Sequence, residues 1–247
     1  MSKKIQHRLF IENPLPGDGT MTLGPDQSHY LGNVMRAGVG DKVALFNGTD
    51  GEWASEIADV KKKAVTLAIG EKLKDQRTEP DLWLAFAPIK KARLDFMAQK
   101  ATELGVSHMV PVLTRRTIVD RVKTDRLHAN AVEAAEQCER LNVPTVGEPT
   151  KLEKLIEAWP MDRMIMFCDE DLSGTPAHVA LQAADDKSCP KPWGILIGPE
   201  GGFDDHERAL IRSHPNTVVV ALGPRVLRAD TAAMSAISLW QSALGDW

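Results

Sequence analysis

The chain is poor in the features that most often announce a chemistry. Cysteine is scarce: Cys138, Cys168 and Cys189 are odd in number and far apart, with no CxxC and no His/Cys pair at metal-ligand spacing. That excludes a disulfide framework and a zinc-type cage, and reads as reduced thiols of a cytosolic protein without a metal. Aromatics make up only 5% of 247 residues, with a single tyrosine, which disfavours a nucleic-acid surface built on ring stacking. No apolar run approaches the roughly 18 residues of a membrane span, and MSKKIQHRLFIENPL at the start lacks the apolar centre of a secretory signal. GxGxxG and the P-loop Lys-Ser/Thr are both missing, which argues against a dinucleotide or a triphosphate. No internal repeat is present. What remains, 43% hydrophobic and 26% charged residues, describes a folded soluble protein of ordinary core size.

The net charge of −4 excludes indiscriminate nucleic-acid binding, yet it hides a local excess. Between Pro88 and Arg126 nine Lys/Arg stand against four acids, an excess of +5. Such a window is read either as a solvated basic face or as a track for phosphates.

Two rhythms divide the chain. KVALF (42–46), EWASEIADV (52–60) and AVTLAIG (64–70) are short strand-like runs, and NGTDG (47–51) between the first two is a hairpin signal. EKLKDQRTEP (71–80) lacks apolar residues apart from one leucine and reads as a linker. Beyond it strands and helices alternate. LWLAFAP (82–88), MIMFC (164–168), GILIG (194–198) and TVVVALG (217–223) are buried-type strands. HMVPVLT (108–114) is a strand whose Pro111 predicts an edge or end position. RLDFMAQKATELG (93–105) and DRLHANAVEAAEQCERLN (125–142) are helices, and ADDKSCPKP (184–192) is a surface loop. The alternation predicts an α/β domain with a mostly parallel sheet.

Ligands of such sheets bind beyond the carboxyl ends of the strands. Three loops occupy that position: CDED (168–171), GPEGG (198–202) and GPRVLRAD (223–230). GPEGG leads into FDDHERALIRS, where Asp204 and Glu207 form a capping box. Alone, GPEGG reads first as a tight strand-to-helix turn and second as backbone cleared for a ligand. In GPRVLRAD the apolar Val226 and Leu227 lie between Arg225 and Arg228, an arrangement that suits a slot for a flat ring as well as a plain turn with solvated arginines.

ILIGPEGGF (195–203) followed by LGPRVLRADTA (222–232) resembles the paired signature of the bacterial 16S rRNA (uracil-N3)-methyltransferases, the RsmE family of the SPOUT class. HYLGNVMRAGVGD (29–41), KATELGVSHMVPV (100–112) and EAAEQCERLNVPTV (133–146) resemble further family segments, so the likeness spans nearly the whole chain. The family commonly has Arg-Thr-Glu-Thr-Ala where this chain has Arg-Ala-Asp-Thr-Ala at 228–232.

The resemblance implies a PUA-like β-barrel that binds RNA over residues 1–74. It implies a SPOUT methyltransferase domain with a C-terminal trefoil knot over residues 75–247, working as a cytoplasmic homodimer on 16S rRNA of the small ribosomal subunit. It implies S-adenosyl-L-methionine as cofactor, held by Gly198, Pro199, Glu200, Gly201, Gly202, Leu222, Gly223, Val226 and Leu227, with CDED bordering the methionine end. On this reading Arg228 stabilises charge on the uracil oxygens, and Asp230 or Glu200 accepts the N3 proton, Glu200 being equally a loop anchor. Arg8, Arg36, Lys42, Lys90, Lys91, Arg93, Arg115, Arg116 and Arg225 are the candidate RNA contacts. The rival readings are a SPOUT ribose 2′-O-methyltransferase and a non-catalytic RNA-binding assembly factor. A nicotinamide dehydrogenase stands further off, for lack of its fingerprint.

Overall fold

The computed structural model describes residues 5, 7–15, 17, 19–61, 64–119, 121–184 and 191–247. Asp120, Cys189 and most of the ADDKSCPKP stretch lie outside the described residues, as does the side chain of Lys91. The chain forms two compact units, Met1–Thr78 with Ala135–Val143, and Glu79–Ala134 with Pro144–Trp247. The first unit therefore takes in a segment that a linear division assigns to the second.

In the first unit β1 (His7–Phe10), β2 (Gly19–Thr22), β3 (Lys42–Phe46), β4 (Glu52–Lys61) and β5 (Ala64–Lys74) form one sheet in the order β1-β3-β4-β5-β2. β1 runs parallel to β3; the remaining pairs are antiparallel. Helix α1 (Pro25–His29) continues into a π-helical turn at Tyr30–Val34. Alternating Val43, Leu45, Ile57, Val65 and Leu67 pack with Leu9, Leu23 and Leu31 into the core. Register shifts at three points between β4 and β5 bend the ladder, the device by which a small sheet curls.

The NGTDG hairpin forms as the sequence predicts. Asn47 Oδ1 accepts from the amides of Thr49 and Asp50 at 3.0 and 2.8 Å, and Gly51 has φ +83°. A side chain on Gly51 would run into the Lys74 carbonyl. The linker begins later than its composition suggests, because residues 71–74 extend β5, with Lys72 opposite Trp53 and Lys74 opposite Glu52. Glu52 is buried there between Arg8 and Lys74, so a charged run holds strand geometry through ion pairs rather than apolar contact.

The second unit contains β6 (Leu82–Phe86), α2 (Lys91–Glu103), β7 (His108–Leu113), α3 (Thr124–Gln137), β8 (Thr145–Val146), β9 (Thr150–Lys151), α4 (Leu152–Glu157), β10 (Met164–Cys168), β11 (Thr175–Pro176), α5 (Ala177–Ala184), β12 (Trp193–Ile197), α6 (Asp205–Ser213), β13 (Thr217–Ala221) and α7 (Ala229–Leu244). The last residues of α3 fall in the segment assigned to the first unit. Every strand pair is parallel, in the order β11-β13-β10-β12-β6-β7-β8, with β9 also on β7.

Both faces of this sheet are covered, which is why its strands read as continuous apolar runs. One face packs Ile165, Phe167 and Leu196 against Leu152, Ile156, Phe203 and Ile211 of the α4/α6 side. On the other, α7 lies against α2, α5 and β12. Pro111, lacking an N–H, falls between the two short partners of β7: Met109 pairs with Val146 and Val112 with Thr150. α3 ends at Gln137, five residues short of the sequence pattern, where Glu139 turns to φ +62°. Gly105, at φ +88°, closes α2.

At the amino ends of the strands Arg163 is buried. It pairs with Asp81, lies 3.8 Å from the Trp83 ring centroid and donates to the Trp193 carbonyl at 2.9 Å, tying β6, β10 and β12 together. Trp159 packs over the same strands, and a Cβ on Gly194 would come within 2.5 Å of its ring. Replacing Gly194 with Ala should therefore overpack the core and cost about 2 kcal/mol. Calorimetry should show the melting temperature lowered by several degrees, while Gly38→Ala, whose Cβ meets only Asp41 Oδ2 at 4.0 Å, leaves it in place.

Candidate active site

β10, β12 and β13 are adjacent in the sheet and parallel, so the loops that leave them emerge at one end. The 168–172 and 222–227 loops enclose a hollow of about 40 Å³, lined by Cys168, Asp169, Glu170, Leu172, Leu222, Arg225, Val226, Leu227 and Ala232. Its walls are apolar on the β13 side and acidic on the β10 side. Val226 is 70% exposed, and a Cβ on Gly223, at φ +125°, would meet nothing within 4 Å. The backbone at Gly223 is thus open to close approach. Burial pushes the Cys168 thiol far up, so it stays protonated at neutral pH.

The acidic wall is held by α6. The Asp169 carboxylate is wholly buried and accepts from Arg208 Nε at 3.0 Å and Arg212 Nη2 at 2.8 Å. Arg212 also reaches Asp171 Oδ2 at 2.7 Å and Ser173 Oγ at 2.8 Å. Glu170 accepts from Arg208 and, at 3.0 Å, from the amide of Phe203. Arg208 and Arg212 are four residues apart and so share one helix face. That spacing opposite the acids of CDED was the available signal for this network, which sequence reasoning missed.

The GPEGG loop lies beside the hollow instead of lining it. Its glycines answer to packing: a Cβ on Gly198 would meet the Phe203 ring at 2.6 Å, and one on Gly202 (φ +69°) would overlap the Glu170 carboxylate. Pro199 and Glu200 border a second, smaller hollow of about 30 Å³ with Ile89, Lys90, Arg116 and Ile118. At Gly198 and Gly202 neighbouring side chains take the space a Cβ would need, so packing by itself accounts for these two glycines. The capping box forms: Asp204 accepts from the Glu207 amide at 2.8 Å, and Glu207 from the Asp204 amide at 3.0 Å.

Three arginines of the basic window engage this loop and its exit. Arg93 pairs with Glu200, Arg116 donates to the Gly201 carbonyl at 2.8 Å, and Arg115 reaches Asp204 at 3.1 Å. Arg126 is engaged by Asp95 at 2.7 and 2.6 Å. Arg93 is half-buried in its contact, whereas Arg115 and Arg116 support residues 200–204 while remaining exposed. Glu200 anchors the loop through Arg93, not through backbone amides. Arg8 is corrected outright. Its side chain is nearly buried, pairs with Glu52, donates to the carbonyls of Ala135 and Arg140 at 2.6 and 2.7 Å, and stacks on Phe46.

Other candidates remain available. Arg36 (exposed, φ 54°), Lys90, Arg225 and Arg228 make no side-chain hydrogen bond or ion pair among the described residues. Lys42 is half-buried at the start of β3. Arg228 is the N-cap residue of α7, and the half-buried Asp230 in its first turn accepts, among the described residues, from the Thr231 amide at 3.0 Å. Among the described residues no group of three His, Cys, Asp or Glu is placed to hold a metal ion.

Asp171 and Asp204 both titrate below the ordinary carboxylate value. Burial opposes this at Asp171, but the Ser173 amide and hydroxyl with Arg212 and Arg208 outweigh it; at Asp204 the Glu207 amide leads and Arg115 helps. A lowered folded value means that the stability they contribute is complete above about pH 4 and is lost as pH falls through the folded values. Melting temperature measured from pH 7 to 3 should fall only at the acid end, and Asp204→Asn should flatten that fall. Asp169→Asn leaves two guanidinium groups short of their charge; because both are partly exposed, the cost should be about 2 kcal/mol in urea denaturation.

Comparison with known proteins agrees with this geometry. Residues 77–241 match the model of the RNA methyltransferase domain, and residues 23–70 that of the RNA methyltransferase PUA domain. The ribosomal RNA small subunit methyltransferase E of Rickettsia conorii is 32% identical over 94% of this chain and 93% of its own. That of Bacillus subtilis is 29% identical over 94% of each. Among solved structures, a Legionella pneumophila chain in complex with bound SAM superposes with a TM-score of 0.87 at 31% identity, covering 99% of this chain and 100% of that one. The Neisseria gonorrhoeae ribosomal RNA small subunit methyltransferase E bound to S-adenosyl methionine gives 0.86 at 25%, covering 98% and 99%. The α/β fold with its PUA-like first unit is that of SPOUT methyltransferases, and the chain belongs to the ribosomal RNA small subunit methyltransferase E family.

Proposed function

We propose that the protein transfers the methyl group of S-adenosyl-L-methionine to N3 of one specific uridine in the 16S rRNA of the small ribosomal subunit. The observation that carries this reading is the hollow between the 168–172 and 222–227 loops, in a chain whose relatives along nearly all of its length are small-subunit rRNA methyltransferases. Its chemistry suits the cofactor: Leu172, Leu222, Val226 and Leu227 can sandwich a flat base, and the acidic wall suits the cationic methionine end. The open backbone at Gly223 supports main-chain recognition of that base. At about 40 Å³ the hollow takes only part of such a molecule, and the exposed Val226 flank leaves room to solvent for the rest.

Bound cofactor supplies an electrophilic methyl group on a sulfonium. The protein must then hold the uracil ring, accept its N3 proton and stabilise the charge left on O2 and O4. Arg228 is the residue for that charge, since its guanidinium is exposed at the start of α7 and unpaired among the described residues. Asp230, two residues on, is the proton acceptor; the shorter side chain than the family's glutamate still carries a carboxylate in the first turn of α7. Glu200 is assigned to loop anchoring because Arg93 occupies it. Lys90, Arg115, Arg116 and Arg225 in the second unit, and Arg36 in the first, are exposed cations assigned to RNA phosphates.

Catalysis is assigned to the second unit and RNA binding to the PUA-like first unit. The SPOUT knot accords with α7 packing back on β12 after the chain has passed β13. Exposed Phe96 on α2 and Val179 on α5 support pairing of two copies as a homodimer. An enzyme acting on ribosomal subunits works in the cytoplasm. With radiolabelled S-adenosyl-L-methionine and small subunits from a strain lacking the enzyme, label should appear in 3-methyluridine of 16S rRNA. Arg228→Ala should lower kcat at least tenfold with cofactor binding retained. Label on a ribose 2′-oxygen, or none at all, would overturn the reading.

A further inference from the structure

Glu170 touches both the candidate cofactor hollow and the GPEGG loop. It lines the hollow from the β10 side. Its Oε1 accepts from the Phe203 amide at 3.0 Å, the first N–H after GPEGG, and also from Arg208. Arg208 simultaneously holds the buried Asp169 at 3.0 Å, so one guanidinium fixes two consecutive residues of the hollow's wall. Gly202 completes the fit from the other side. A Cβ there would overlap Oε1, lie 2.6 Å from Cδ and 3.2 Å from Cγ of Glu170. The absent side chain at 202 is therefore the space that the Glu170 carboxylate occupies.

We propose that Glu170 is a positioning residue for the cofactor: with Arg208 and the gap at Gly202 it sets the GPEGG backbone against the 168–172 wall. This rests on the methyltransferase reading above and adds a residue to it. Glu170 touches no reacting atom in this account. It acts on the shape of the cofactor hollow, through a carboxylate that two elements share. An amide in its place keeps one acceptor for the Phe203 N–H but gives up the charge that holds Arg208.

The test uses the full-length protein, with folding of each variant checked by circular dichroism and melting temperature. For Glu170→Gln, the KM for S-adenosyl-L-methionine should rise about tenfold while kcat at saturating cofactor falls less than threefold and the KM for RNA stays within twofold. Gly202→Ala should show the same split, because its methyl displaces the same carboxylate. The double variant Gly202→Ala with Glu170→Asp should recover most of the lost cofactor affinity, since the shorter acid withdraws from the added methyl; a purely structural loss would deepen. Titration calorimetry with the cofactor alone supplies a second readout. Wild-type protein that fails to bind the cofactor would overturn the functional reading and this one with it. Wild-type binding matched by undiminished binding in folded Glu170→Gln and Gly202→Ala would overturn the positioning role alone, as would kcat and both KM values moving together.

Discussion

The architecture of the site depends on one buried carboxylate. Asp169 sits at the carboxyl end of β10 with no solvent contact, which is tolerable only because Arg208 and Arg212 both donate to it. Those arginines come from α6, the helix that follows GPEGG, so charge compensation for one loop dictates where the next element must lie. Glu170, Asp171 and Ser173 then add acceptors to the same two guanidinium groups. The result is an acidic wall facing GPRVLR across a narrow hollow.

The same economy of charge governs the basic window. Its excess of positive residues suggests a phosphate track, yet Arg93, Arg115 and Arg116 also hold Glu200, Asp204 and the Gly201 carbonyl, the last two arginines while still exposed. These contacts brace the GPEGG loop in addition to Glu170. A turn with three glycines thus draws support from side chains of β7's exit and α2. Among the described residues, Arg228 and Arg225 by the hollow and Lys90 near GPEGG are exposed cations with no side-chain partner, a local cationic surface at the site. That suits an enzyme whose net charge is negative and whose contact with RNA must be specific.

Strand and helix positions were largely legible because their causes are local. KVALF occupies β3 residue for residue, the NGTDG turn forms, and the capping box of Asp204 and Glu207 closes at both bonds. Failures came where a distant partner overrides local preference. Residues 71–74 look like linker but continue β5, because buried Glu52 draws Lys74 to it. α3 stops at Gln137 although its Ala- and Glu-rich pattern runs on.

By itself the sequence determined the alternation of strands and helices and the parallel sheet, since these follow from apolar periodicity and short-range turn chemistry; the family came from the resemblance of the paired GPEGG and GPRVLR segments. Only the tertiary structure decided what each charged residue is for. Arg8 and Arg36 are alike as letters; one is buried against Glu52 and Phe46 and the other is exposed. Glycines 202 and 223 are alike as well, yet one makes room for Glu170 and the other opens to solvent. The reason is physical: a side chain's role depends on the partner and the water it meets, and both are set by residues far away along the chain.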